Sequence, residues 1–446
     1  MVASSDSGRA MALCPSAIET ARAVRAGEQT ATAATQAALD RIGAREADLL
    51  AFEYLDPKAA LNTAAALDTA RSEQPLAGVP IAIKDIIDTA DMPTRNGCAH
   101  EFDRRPSADA TVVRRLKQAG AIVVGKTTTT ECAYYSPTKT RNPHDPARTP
   151  GGSSSGSAAA IGAGLVPLAL GTQTSGSIIR PASFCGVWGM KPSFGLVPRT
   201  GVLMLCQSLD HVGALAGRIE DLARAIDLIS GADDHDPASV GARPSRLEYA
   251  LGLPLDRPRL AFARSFAWPE MEPSAAQRFD TLAKKLGAVE LDMGAPFDDA
   301  LLLHRTIMAH EMAHNLWPKY LAGGERLSKQ LREFLIEGRG ISAERYFDAL
   351  KGIARLKTIT ERLFRPFDGI ITPSAPGEAP LGLSFTGSRA FCLLWSTLGV
   401  PAVNVPGLKG EAGLPLGVQV VGARGSDAQT LRAAAWLGQA LASAAP

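Results

Sequence analysis

Residues 150–192 constrain this chain more than any other stretch. Two loops rich in glycine and hydroxyl residues, Pro150-Gly-Gly-Ser-Ser-Ser-Gly-Ser157 and Gly171-Thr-Gln-Thr-Ser-Gly-Ser-Ile-Ile-Arg-Pro181, are joined by the apolar segment 158–170. Glycine lets a backbone turn tightly and bring several N–H groups to face one point. Clustered donors of that kind suit an oxyanion or a phosphate. The hydroxyls of Ser153, Ser154, Ser155, Ser175 and Ser177 add candidate nucleophiles. A flexible linker does not alternate with apolar blocks such as 158–163 and 166–170, so the two loops belong to a folded unit.

Around these loops the chain alternates strand and helix patterns. Apolar residues recur at helical spacing over 15–26 and 30–42, with Pro15 suited to open a helix and Gly27 to close one. Residues 49–54 read as a strand and 57–71 as an Ala- and Leu-rich helix. Gly78-Val-Pro-Ile-Ala-Ile-Lys-Asp85 is a short apolar strand that ends in charge. Residues 108–119 predict an amphipathic helix and 121–124 the strand after it. Strand–helix–strand order gives an α/β layer architecture. Further helices are predicted over 157–164, 219–230, 273–287, 296–322, 325–335, 342–364 and 427–442. Further strands are predicted over 167–171, 257–266, 368–372, 403–406 and 417–421. Residues 1–13 read as a tail, and the polar segment 233–256 as a surface excursion. No repeat or break in composition divides the 446 residues. One large α/β domain over 1–446 is therefore expected, with 270–365 as a helix-rich flank.

A net charge of +2 and the lack of any block of like charges give no electrostatic case for nucleic acid or an anionic membrane. No apolar run reaches the ~18 residues of a membrane span. The first fifteen residues lack a basic region followed by an apolar core, so no signal peptide is expected. Six scattered cysteines without a CxxC pair fit reduced thiols in a cytoplasmic protein.

Several short patterns point elsewhere. His310-Glu-Met-Ala-His314 matches HExxH on a predicted helix, where two histidines share a face and Glu311 would be the base of a zinc peptidase. A third ligand, Glu333 or Glu337, would be needed. The bland reading is a polar helix that fits a short pattern. Gly152-Ser-Ser-Ser-Gly156 matches the nucleophile elbow GxSxG, but 142–150, with three prolines, replaces the strand that an elbow requires. Asp210 and His211 are adjacent and in the wrong order for that fold. Ser136-Pro-Thr-Lys139 matches SxxK without its partner motifs. Gly125-Lys126-Thr127 lacks the upstream glycine of a P-loop.

Lys84 ends the apolar strand. A lysine there is partly desolvated, which lowers its pKa, and a neutral lysine is a general base near pH 7. The alternative is an ammonium that reaches water or pairs with Asp85. Beside the hydroxyl loops, a base, a bridging hydroxyl and a nucleophilic hydroxyl can relay a proton without histidine.

On these residues the chain resembles the amidase signature family. The resemblance runs from about 76 to 231, over the lysine strand, the Gly-Gly-Ser-Ser loop and Gly-Thr-x-Thr-x-Gly-Ser. It resumes at 368–375 and 413–422. It implies one α/β domain around a large twisted mixed sheet with helices on both sides. It implies hydrolysis of a carboxamide, or transfer of its acyl group, through a Ser–Ser–Lys triad; a small-molecule amide is the expected substrate, and no cofactor or metal is expected. By motif position Lys84 matches the base, Ser153 the bridging serine on a cis peptide, and Ser177 the acylated nucleophile. The N–H groups of Thr174, Ser175, Gly176 and Ser177 match the oxyanion hole. Ser175 stands where the family often has Gly, which changes the flank of the hole and keeps the N–H. Ser155 also replaces a common Gly and, with Ser177-Ile-Ile-Arg180, resembles the malonamidase branch. That likeness puts Arg180 and Ser154 at the substrate, with Arg180 holding a carboxylate on the acyl group; the alternative is an arginine that braces the loop through backbone carbonyls. Amidotransferase subunits share the triad inside a larger complex, so that reading stays open. By family analogy the chain is expected to form a homodimer.

Overall fold

The computed structural model describes residues 14–443; the expected tail at 1–13 lies outside the described residues. Eleven strands form one sheet: β1 (Phe52–Leu55), β2 (Pro80–Lys84), β3 (Ile122–Thr127), β4 (Leu168–Gln173), β5 (Trp188–Lys191), β6 (His211–Ala216), β7 (Leu260–Arg264), β8 (Val289–Asp292), β9 (Gly369–Pro373), β10 (Ala402–Lys409) and β11 (Pro415–Val421). Their order is β1-β3-β2-β4-β6-β5-β10-β11-β9-β7-β8. β2 runs parallel to β3 and β4, and β7 parallel to β8 and β9; the other pairings are antiparallel. The sheet is therefore mixed, as the resemblance implies.

Both faces of the sheet are covered, and the strand period shows how. Alternate residues of a strand point to opposite faces. Ile81, Ile83, Val123, Leu168 and Leu170 join one apolar cluster with residues of the helices Thr111–Gln118 and Ile219–Ile229. Their neighbours Ala82, Ile122, Val124 and Ala169 join a second with Ala31–Leu49 and Ser155–Gly162. In the second half, Val403, Val405, Val418 and Val420 face the helix Asp427–Ala442. Ala402 and Val421 face Ala300–Gly323 and Ala390–Leu398. Strands buried on both sides read as continuous apolar runs, which is why 79–83 carries no alternation. Each Ile or Leu so buried contributes roughly 1.5–3 kcal/mol.

Two predicted features shift. The helix expected from Pro15 opens at Ala17, because Ser16 caps it: its hydroxyl accepts from the N–H of Ile18 and Glu19 while Glu19 reaches back to the Ser16 N–H. The expected surface excursion at 233–256 is largely exposed, but it is also tied down. It contains the helix Leu247–Leu251, with Leu247 buried, and Arg432 donates to the carbonyls of Ala250, Leu253 and Pro254.

One glycine sets how closely the site is built. The helix Ser155–Gly162 lies so near the sheet that a Cβ on Gly156 would sit 2.1 Å from the Ala51 carbonyl oxygen and 2.5 Å from the Thr128 nitrogen. The next residue, Ser157, donates to the Leu170 carbonyl at 2.9 Å and shares a 2.7 Å hydrogen bond with Thr127. The first hydroxyl loop is thereby clamped over the ends of β3 and β4.

Candidate active site

Lys84 is the last residue of β2 and is completely buried. Its side chain lies between the first hydroxyl loop and β4. Nζ is 2.7 Å from Ser153 Oγ and 2.7 Å from Thr172 Oγ1. Burial among neutral hydroxyls holds its pKa well below the ordinary lysine value, and the charge of Asp210 opposes this only in part. Lys84 neither reaches water nor pairs with Asp85, which faces Lys126 at 3.6 Å and accepts from the Arg95 N–H. Lys126, from the Gly-Lys-Thr pattern, is buried, and its ammonium holds the Ile87 carbonyl and Thr94 Oγ1. Burial pushes it down to about 8. It supports the loop that follows Lys84.

Ser153 follows a cis peptide bond from Gly152 and is 2 % exposed. The N–H of Ser154 donates to the Ser177 carbonyl at 3.2 Å, which joins the two loops. In the second loop Ser175 and Gly176 are buried while Ser177 is half-exposed, so Ser177 is the hydroxyl of this loop that is open to a substrate. Its Oγ makes no hydrogen bond with a protein group among the described residues.

The amides after β4 are sorted by one side chain. Gln173 Oε1 accepts from the N–H groups of Ile178 and Ile179 at 2.8 and 3.0 Å. The N–H groups of Ser175, Gly176 and Ser177 donate to no protein acceptor among the described residues. Three contacts fix that loop from outside. Ser396 donates to the Ser175 carbonyl at 2.6 Å, and Gln173 Nε2 donates to Ser396 at 2.9 Å. Thr174 Oγ1 donates to Asp210 at 2.6 Å. Ser175 Oγ is hydrogen-bonded to His304 Nε2 at 3.1 Å. Asp210 also accepts from the N–H groups of Leu205 and Cys206 at 2.7 and 2.8 Å. Its burial raises the carboxyl to about 6. Burial and the nearby Arg389 push His304 down to about 3, so its imidazole is neutral at pH 7.

The two residues expected at the substrate are placed differently. Ser154 is fully buried, and its hydroxyl exchanges hydrogen bonds of 3.3 Å with the Thr172 backbone; it tethers a loop to β4. Arg180, on the helix Ile179–Cys185, is 5 % exposed. It donates to the Gly387 carbonyl at 2.8 Å, to the Gly152 carbonyl and to Thr386 Oγ1. Burial lowers its pKa to about 10.

The HExxH residues lie apart from this cluster on the helix Ala300–Gly323. Glu311 is buried and accepts from the Ser208 N–H and hydroxyl and from Tyr346. His310 stacks on Tyr346 at 4.3 Å and His314 is exposed. Among the described residues no group of three His, Cys, Asp or Glu converges as a metal site. Sequence reasoning missed Thr172, Asp210 and His304 as neighbours of the loops. Thr172 sits inside the quoted motif, one strand period before Thr174. Nothing local marks the other two.

Comparison with known proteins agrees with this geometry. The Amidase family model matches residues 33–431. A glutamyl-tRNA(Gln) amidotransferase subunit of Chloroflexus aurantiacus is 36% identical over 92% of this chain and 93% of its own length. The corresponding amidotransferase subunit of Thermus thermophilus is 34% identical over 92% and 94%. Among solved structures, one described as an unexpected vestigial protein complex that reveals the origins of an s-triazine catabolic enzyme superposes with a TM-score of 0.89 at 31% identity, covering 95% of this chain and 98% of that one. The native peptide amidase of Stenotrophomonas maltophilia superposes with a TM-score of 0.80 at 28% identity, covering 96% and 97%. A mixed sheet with helices on both faces, hydroxyl loops at its strand ends and this extent of likeness leave one assignment: the chain belongs to the amidase family.

Proposed function

We propose that this amidase hydrolyses a small-molecule carboxamide through an acyl-Ser177 intermediate. The observation that carries the reading is the completely buried Lys84 amine 2.7 Å from Ser153 Oγ, with no carboxylate ion-pair partner among the described residues. The neutral amine takes a proton from Ser153 as Ser153 takes one from Ser177. Ser177 Oγ attacks the amide carbon, and the new oxyanion is received by the amides of the second loop, from Thr174 to Ser177. Collapse returns the proton through Ser153 to the departing amine. Water then attacks the ester by the same relay, and Ser177 is regenerated. The three contacts that hold the loop from Asp210, His304 and Ser396 support its role as a preformed hole.

Arg180 fits the bracing alternative better than the malonamidase-like one, since its hydrogen bonds go to two carbonyls and a hydroxyl. Ser154 fits a tether rather than a substrate contact. The six free cysteines suit a reducing compartment, which supports a cytoplasmic chain. Among the described residues no helix is long and apolar enough to cross a membrane.

A fluorophosphonate probe tests the reading. The mass shift falls on the Ser177 peptide, Ser177→Ala removes it, and a chelator leaves hydrolysis unchanged. Labelling elsewhere, or activity that a chelator abolishes, would overturn the reading. A second reading, an amidotransferase-type subunit of a larger complex, is favoured by the names of the relatives at 34–36% identity. Amide hydrolysis by the purified chain alone supports the first reading; hydrolysis that appears only with a co-purifying partner supports the second. Light scattering on the same sample tests the homodimer.

A further inference from the structure

Two guanidiniums stand beside the second hydroxyl loop, and neither has a carboxylate ion-pair partner among the described residues. Arg180 is spent on neutral acceptors. The Arg389 guanidinium makes no hydrogen bond and no ion pair with any protein group among the described residues; it lies over the Tyr135 ring at 4.4 Å. Its side chain springs from the site itself. A Cβ built on Gly176, the residue before the nucleophile, would be 3.3 Å from Arg389 Cβ. Arg389, Tyr135 and Ser177 are all half-buried. The charge of Arg389 is felt by both Arg180 and His304. Glu337, an acid of the same neighbourhood, is engaged by Arg305 at 3.2 Å.

Structure alone does not account for such a residue. Arg389 immediately precedes the helix Ala390–Leu398 and supplies no side-chain cap. A cation at that end opposes the helix dipole. Holding an unpaired guanidinium half out of water next to a second cation costs free energy that a bound anion returns. A planar guanidinium fork matches a carboxylate in two hydrogen bonds.

We propose that Arg389 receives a carboxylate of the substrate, so that this amidase acts on carboxamides bearing an anionic group a few bonds from the scissile carbonyl. The inference rests on the acyl-Ser177 reading and specifies its substrate class.

Two measurements test it. Ser177→Ala removes turnover, and calorimetry then compares succinamate with the neutral butyramide. Succinamate binds at least tenfold more tightly, and the advantage disappears in Ser177→Ala/Arg389→Gln. In the active enzyme, Arg389→Gln lowers kcat/KM for succinamate relative to butyramide by roughly 30- to 100-fold, the loss of a charged hydrogen bond. Arg389→Lys, which keeps the charge and loses the fork, recovers part of the ratio. A parallel pair, N-acetyl-β-alanine and N-acetylpropylamine, places the carboxylate on the amine side; selective loss there instead assigns Arg389 to that side. Equal losses on charged and neutral members of both pairs overturn the inference; so does equal binding of succinamate and butyramide without selective loss in the amine-side pair. Hydrolysis of succinamate by Ser177→Ala overturns the acyl-enzyme reading instead, so the two failures are distinct.

Discussion

Replacing Lys84 by Met separates catalysis from stability. Lys84 is completely buried, its hydrogen-bond partners are the hydroxyls of Ser153 and Thr172, and burial depresses its pKa. In the unfolded chain the amine keeps its proton up to the ordinary value of 10.5. Between the depressed value and 10.5 the unfolded state therefore binds more protons, and stability rises with pH through that window. Each unit of depression costs about 1.4 kcal/mol of folding free energy below it. Methionine removes that cost and gives up two hydrogen bonds worth about 1 kcal/mol each. The terms oppose, so Lys84→Met keeps its Tm within a few degrees of the wild type or exceeds it, and its pH–stability profile flattens. Activity behaves otherwise. Without the base, kcat/KM falls roughly 10³–10⁴-fold, about 4–5.4 kcal/mol of barrier. On the proposed relay the reactive form is the neutral amine, so the wild-type kcat/KM is expected to rise with pH through the depressed pKa. Ammonia release and Ser177 labelling rates, read beside thermal melts from pH 5 to 9, report both effects. A variant within tenfold of wild-type kcat/KM, or a wild-type rate that falls as pH rises through neutrality, would refute the base assignment.

Other expectations follow from single contacts. Asp210→Asn weakens the grip on Thr174 and on the Leu205 and Cys206 amides, and is expected to lower kcat about 10- to 100-fold with a smaller change in KM, measured by steady-state ammonia release. Ser175→Gly cuts the link to His304 and keeps the loop N–H, so kcat/KM should stay within about threefold; a hundredfold loss would show that the hydroxyl itself acts on the substrate. Gly156→Ala forces a methyl against backbone atoms that have no room to yield, and should cost at least about 2 kcal/mol in chemical denaturation. An unchanged midpoint would refute the close packing of that helix.

The parts of the fold that are legible in the sequence carry an undisturbed helical period or a short, bounded apolar run. The closing helix Asp427–Ala442 and the strands β2 and β3 lie where the pattern puts them. The helix Ala390–Leu398 was missed because every one of its residues is buried, so it has no polar face to give a 3.6-residue period. Ile179–Cys185 is short, carries Pro181 and is buried throughout, and reads as loop. β5 and β6 are interrupted by Gly189 and Gly213; at the latter a Cβ would lie 2.0 Å from the Met190 carbonyl oxygen, so the glycine serves close strand approach rather than a turn. β8 is an exposed edge of four residues. In the site, Lys84, Ser153 and Ser177 were legible because they sit in contiguous motifs. Asp210, His304 and Arg389 approach from 36, 130 and more than 200 positions away along the chain, and no local pattern encodes such an approach.

That separation along the chain divides the protein into two heritable halves. The proposed proton relay lies within residues 84–177, bolted to adjacent parallel strands whose register a single-residue slip would ruin. Two side chains beside the second loop, the buried His304 and the half-buried Arg389, arrive from beyond residue 300. That portion also holds the loop, through His304 and Ser396, so only drift that spares those two contacts retunes what is admitted without disturbing how the bond is broken. A lineage built this way has Arg389 free to change while His304 and Ser396 stay fixed by the loop they hold.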